Sequence, residues 1–430
     1  GKINLNNFNG STNGSLNITA TSKSWTGIYS CGTAAITAWN GTINITGNGD
    51  NNNGVNLYGI NLTATNGTIN IIGNSSIGTG LNISNATFNA TNSGLNLSGT
   101  STSNTGINIS GTNTFNATNS TVNVTGNSTT GIGIDLSATN TFNAYSSTKF
   151  SITGTSDSAT GFEHSGTIIS NIASNATLNV TGISTSGKGY FFSSGKYIIN
   201  KNSGATNGSI NITGCSTSGN GIEVDAGGNG LDIFAGNASI KGISDSGFGV
   251  FNQGNFTGNV SNGSFLNISA TSTSNNGYAS TGSSLNLNLN TSLNGSMTVA
   301  ASSNTNDGIK IDGSSYFNVW NGTLNITGTS SAPKDKSGIY FVKSMAADVY
   351  AQGSLNFKGT STNSLGITFD GWSLSQKKPS SNNSGSIVFE GNSSTDVGIL
   401  FLGVNNVIDM PSGNITSVSY THLTLPTILL

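Results

Sequence analysis

Few residues in this 430-residue chain could do ionic or covalent chemistry. The best-placed pair is Asp135 and Glu163, which follow Gly133-Ile134 and Gly161-Phe162 at equivalent points of a recurring pattern. On adjacent coils of a repeat structure, two such carboxylates stand about 5 Å apart. That separation suits the two carboxyl groups of a retaining glycosidase, or two ligands of one cation. It also raises the apparent pKa of one member. The rest of the chain argues against catalysis. All 14 basic residues are lysine, so there is no arginine to hold an acidic sugar. The expected state of the pair is a solvated acidic patch.

Other motifs point the same way. Gly227-Gly228-Asn229-Gly230-Leu231-Asp232-Ile233-Phe234 fits one calcium-binding nonapeptide. That chemistry shares each ion between tandem turns, and here the copy is single, so a turn followed by a strand is expected. His164 is the only histidine within the repeats, which excludes a histidine metal cluster. Cys31 and Cys215 are too few for a disulfide framework. There is no Gly-x-Ser-x-Gly elbow and no phosphate-binding loop. Asn-x-Ser/Thr sequons, by contrast, number about 33, among them Asn17, Asn44, Asn123, Asn179, Asn211 and Asn325. These are candidate glycosylation sites, although alternation of outward Asn and Thr about an inward apolar residue writes the same triplet unaided.

Composition narrows the function classes further. Charged residues are 7% and net charge is −2, so no long-range field draws in nucleic acid or an anionic membrane. No apolar run is long enough for a transmembrane helix. With 33% hydrophobic residues and 60 glycines, the chain still has the apolar content of a folded protein. Neither a cofactor nor an enzymatic activity is expected.

The elements that must carry these residues are repeats. A small residue, Leu or Ile, Asn, Ile or Val, and Thr recur as Ser15-Leu16-Asn17-Ile18-Thr19, Thr42-Ile43-Asn44-Ile45-Thr46 and Thr121-Val122-Asn123-Val124-Thr125. There are about 14 copies at intervals of about 26 to 32 residues. Each period holds two further alternating segments, such as Gly106-Ile107-Asn108-Ile109 and Thr114-Phe115-Asn116-Ala117. Period-two alternation over four or five residues means half-buried strands. Three short strands per period predict an all-β, right-handed parallel β-helix of about 14 coils over residues 1–417. Phe88, Phe115 and Phe142 should then stack inside, and Asn17, Asn44, Asn70, Asn96 and Asn123 should form an outward amide ladder. Tyr190, Phe191 and Phe192 are expected mostly in the core. The varied stretches 331–337 and 372–381 are expected as corner insertions. Residues 418–430 break the pattern and are expected to be a non-native or disordered tail of adapter-derived sequence. The repeats are expected to be an internal fragment of a longer protein.

The Leu-Asn-Ile-Thr-Gly-Thr-Ser-Thr-Ser and Gly-Ile-Asn-Ile types of segment resemble those of bacterial large exoproteins, above all filamentous haemagglutinin and high-molecular-weight adhesins. The likeness spans about residues 1–417 and extends to autotransporter passenger domains. It implies a secreted or surface-exposed rod that binds a host-cell or matrix receptor or glycan. It also implies an outer-membrane secretion partner, or a β-barrel of the protein's own, outside this segment, and glycosylated sequons. Two alternatives stay open: a structural stalk or biofilm-matrix segment without a binding site of its own, and a polysaccharide-processing β-helix enzyme.

Overall fold

A computed structural model describes residues 2–6, 14–32, 34–200, 208–261, 263–281, 285–289, 295–371, 373–375, 385–402, 407–409 and 414–421. Every regular element among them is a β-strand. The chain divides into two compact units, Gly1–Ile240 and Lys241–Leu430. Each is a right-handed parallel β-helix, and together they hold about 13 turns.

From Gly41 to Ile172 each coil of the first unit has three strands, and beyond it Tyr190–Ile199 and Ile222–Ile233 each run a second and a third strand together. One coil runs through Gly94–Ser101, Ile107–Ser110 and Asn113–Thr118 before Thr121–Ser128 begins the next. Pairing between coils is parallel and in register: Leu16↔Ile43, Ile43↔Ile69, Ile69↔Leu95 and Leu95↔Val122. Residues that recur in the sequence therefore become vertical neighbours. Ile43, Ile69, Leu95 and Val122 are buried as the expected aliphatic column. The expected phenylalanine column forms as well. Phe88 and Phe115 stack at 4.6 Å and 5°, and Phe115 and Phe142 at 4.9 Å and 9°. Phe150 from a neighbouring strand meets Phe142 edge-on at 5.7 Å.

The corners are built by polar residues. Ser101, Ser128, Ser156 and Ser184 end successive first strands with their hydroxyls buried. The Ser128 Oγ donates to Asn104 O of the preceding coil at 2.5 Å and accepts from Gly131 N of its own turn at 2.8 Å. Ser184 does the same with Ala159 O at 2.6 Å and Gly187 N at 2.8 Å. One hydroxyl thus satisfies a buried carbonyl and a turn amide, groups that cost about 1–3 kcal/mol each when left unpaired. Beside this column the chain doubles back so tightly that a Cβ on Gly126 would meet the Gly133 carbonyl. At the opposite corner the backbone passes through positive φ at Asn66, Asn92 and Asn119, at 51°, 49° and 50°. Asparagine tolerates that region better than other side-chain-bearing residues. Asn113 and Asn140 point inward and form a short buried amide ladder of 2.9 Å.

The second unit keeps the corner device and loosens the rest. Ser272, Ser303 and Ser393 bridge coils to Gly247 O, Asn275 O and Ser364 O at 2.5–2.6 Å. Some third strands merge with the next first strand, as in Ser315–Ser330 and Met345–Ser361. A register shift between Val319 and Asn321 absorbs the corner. The core is a web of rings, with Phe357 stacked on Phe389 at 5.0 Å and edge-on to Phe341 at 5.4 Å.

Three expectations need comment. Tyr190 and Phe192 are buried, but Phe191 faces outward. The side-chain period of two forces this, since consecutive residues cannot share a face. Residues 418–421 belong to the strand Asn414–Thr421, which pairs with Ser386–Ser393, whereas 422–430 lie outside the described residues. Of the stretch 372–381, only Ser373–Ser375 is described, as a short strand.

Candidate functional site

The outward faces of the coils carry most of the polar groups, and the geometry sorts them into columns. Asn44 Nδ2 donates to Asn17 Oδ1 at 2.6 Å, and Asn70, Asn96 and Asn123 continue the ladder at 2.7, 2.7 and 2.8 Å. Ser151 stands in this column between Asn123 and Asn179, after which Asn211 donates to Asn179 at 2.8 Å. In the second unit Asn356 donates to Asn325 at 3.0 Å. All six named sequon asparagines therefore lie on ladders of the first strand. Asn44, Asn123 and Asn211 each commit one N–H to the ladder, so a glycan there would have to use the other, whereas Asn17, Asn179 and Asn325 enter these bonds as acceptors.

Two further ladders escaped the sequence reading. Asn82 and Asn108 donate up a column from Asn56 at 2.9 and 2.7 Å. Asn89, Asn116, Asn143 and Asn171 form another at 2.9, 2.7 and 2.8 Å. The signal was present, because Asn recurs between apolar residues in all three segments of the period. The positive-φ corner was missed too. Asn66, Asn92 and Asn119, with Gly67, Gly94 and Thr121, line an open polar groove of about 360 Å³. Its sequence mark is an Asn two residues before a first strand opens, as Asn66, Asn92 and Asn119 stand before Thr68, Gly94 and Thr121.

Asp135 and Glu163 pair in register on neighbouring second strands, continuing the column of Asn82 and Asn108. Burial pushes the Asp135 carboxyl up. Burial and then the Asp135 charge push Glu163 up, opposed by a hydrogen bond from Ser193 and by the Lys188 charge. This is the pair the sequence brought together, half-buried rather than fully solvated. The next rungs are Phe191 and the buried Glu223. Lys188 Nζ lies 3.4 Å from the centre of the Phe191 ring and 2.7 Å from Glu223 Oε1. A ring therefore fills the rung beyond the pair.

His164 sits behind this stripe in the core. One ring nitrogen, Nε2, contacts Gly166 O at 2.7 Å, and burial lowers the imidazole pKa to about 4. Asp232 of the nonapeptide-like stretch pairs with Lys196, and all of that stretch but Phe234 lies within the strand Ile222–Ile233. The side chains of residues 226–229 lie outside the described residues.

Aromatic groups also reach the surface. In the first unit Trp25 is 75% exposed. In the second unit Trp320 stacks on Tyr350 at 4.4 Å while remaining 48% exposed. Nearby hydroxyls are tied to carboxylates, Tyr316 to Asp348 at 2.7 Å and Tyr340 to Asp370 at 2.9 Å. Burial and then Asp370 push Tyr340 up to about 12. No protein-family model matches the chain, and no curated protein matches it.

Proposed function

We propose that this chain is part of a surface-exposed or secreted bacterial adhesin, a β-helical protein that attaches cells to host tissue, matrix or other bacteria. Binding is non-covalent and multivalent, with no chemical step. The observation that carries this reading is the set of outward amide ladders. Hydrogen bonds between coils hold the asparagines in place before any ligand arrives, so little side-chain entropy is lost on contact. The same groups recur at the strand spacing of about 4.8 Å. Weak contacts to such an array gain through effective concentration. An uncharged donor and acceptor surface with a polar groove and exposed aromatic rings suits a glycan or a glycosylated receptor. Export to the bacterial surface, a secretion partner or barrel outside this segment, and glycosylation at some sequons belong to the same proposal.

Immobilised protein should retain bacteria-free host cells, or glycans on an array, above a scrambled-surface control. The triple variant Asn66→Gly, Asn92→Gly and Asn119→Gly keeps the positive-φ corner and removes its amides. It should weaken retention if the groove takes part. Absence of retention by the unaltered protein would favour the purely structural stalk, and turnover of a polysaccharide would favour the enzyme.

A further inference from the structure

Lys188 and Asn220 occupy the same place on neighbouring coils. They lie two residues before the paired Tyr190 and Ile222, and Gly189 N donates to Asn220 O at 2.9 Å. Their side chains meet the same carboxylate. Lys188 Nζ is 2.7 Å from Glu223 Oε1, and Asn220 Nδ2 donates to Glu223 Oε2 at 2.7 Å. Glu223 itself is only 7% exposed, and the Phe191 ring closes the site under the lysine.

We propose that Lys188 and Asn220 join through an intramolecular amide bond, with Glu223 as the acid and base of the reaction. Glu223 Oε1 takes a proton from the lysine ammonium. The freed Nζ attacks Asn220 Cγ, and the new Nζ–Cγ bond forms as the Cγ–Nδ2 bond breaks. Glu223 passes protons from Nζ to the departing Nδ2, to which its Oε2 is already hydrogen-bonded. Nδ2 leaves as ammonium, with its own two hydrogens and two from Nζ. The carboxylate is restored, and no oxidant, metal or cofactor enters the balance. A side-chain amide is inert in water, but two groups gathered on the same carboxylate can gain the large effective molarities of intramolecular reactions. A buried carboxylate that touches both nucleophile and leaving group supplies the proton transfers.

The second unit provides an internal contrast. Lys358 Nζ lies 2.8 Å from Glu390 Oε1, and Asn392 Nδ2 donates to the same oxygen at 3.0 Å. There the side chains of Lys358 and Glu390 are 49% and 33% exposed, and Asn392 sits opposite Thr360 rather than opposite the lysine. The hydrogen bond from Lys358 also holds the Glu390 carboxyl below its ordinary range. That cluster remains an ion pair.

Intact-mass spectrometry of the full chain tests the bond. The expected mass is one ammonia below that of the sequence, and digestion should give one branched peptide containing both Lys188 and Asn220. Lys188→Arg, Asn220→Ala and Glu223→Gln should each restore the full mass, while Lys358→Arg should leave the loss unchanged. Lys188→Arg keeps the charge on Glu223 and Phe191, so it separates loss of the bond from loss of folding. A full-mass protein with the two residues in separate peptides would overturn the proposal. So would an ammonia loss that survives Lys188→Arg, because a succinimide at Asn220-Gly221 loses the same mass without touching the lysine.

Discussion

The two units share their corners and differ on their faces. In the first, outward columns repeat one residue type, as in the ladder through Asn44, Asn70, Asn96 and Asn123. In the second, unlike partners are joined across coils, Lys358 with Glu390 in register and Tyr316 with Asp348 on a diagonal. Inside, both units stack rings along the coils and set others edge to face, Phe150 against Phe142 in the first and Phe341 against Phe357 in the second. Yet Ser128 in one and Ser303 in the other make the same two bonds, to a carbonyl of the coil below and an amide of their own turn. The coil is set by its inward residues and its serine corner. The outward columns are therefore free to vary.

The largest effect that would test this division is in the core. Phe115→Ala should destabilise the first unit by about 3–5 kcal/mol. Phe357→Ala should cost the second unit as much or more, because Phe357 also loses edge contacts to Phe317 and Phe341, worth about 0.5–1.5 kcal/mol each. Chemical denaturation followed by ring fluorescence and circular dichroism would measure both. Equal stability of Phe115→Ala and the parent would contradict the internal file of rings.

Acid should separate the units next. His164 is the only histidine outside 422–430, and its imidazole pKa is about 4 folded against about 6.5 unfolded. Between those values the unfolded chain binds the extra proton, so stability falls as pH drops from about 6.5 to 4 and levels off below. The size is about 3 kcal/mol. Asp135 and Glu163 act with the opposite sign, because their raised pKa values favour the folded state as pH falls. His164→Phe, in a column with Leu136 and Phe192, removes the histidine contribution alone. The difference between parent and variant should grow toward low pH. A pH-independent difference would show that the imidazole is not buried uncharged.

Ser128→Ala should follow at about 1–3 kcal/mol, since it leaves the Asn104 carbonyl and the Gly131 amide without their partner. Ser303→Ala should cost the second unit a similar amount. Matching losses in both units are the signature of a shared corner. A loss confined to one unit would mean that the two corners are built differently.

These residues also mark the limit of what was legible in the sequence. Coil, register, the file of Phe88, Phe115 and Phe142, and the ladder from Asn17 to Asn123 all follow from period and alternation, because a solenoid turns sequence interval into vertical contact. The serine corner did not follow. A Ser within a run of Ser and Thr looks like solvated turn, and only the closed turn shows that its hydroxyl has a carbonyl below it. Asp135 and Glu163 were legible as neighbours for the same reason as the ladders. Lys188, Asn220 and Glu223 were not, because the spacing from Lys188 to Asn220 is set by an irregular coil whose long strand, Tyr190–Ile199, shifts register against Ile222–Ile233.

The smallest expected effect concerns ion pairs. Lys358→Ala breaks a contact that is largely solvated, and exposed pairs contribute about 0.2–1 kcal/mol. Its cost should shrink further in high salt, where exposed charges are screened within about 3 Å at 1 M. Lys188→Ala should cost more and depend less on salt, because it takes the cation from the buried Glu223 and exposes the face of Phe191. Urea melts of both variants at low and high salt would compare them directly. Equal costs with equal salt dependence would mean that the Glu223 site is as wet as the Glu390 site, and the contrast between the two lysines would fall with it.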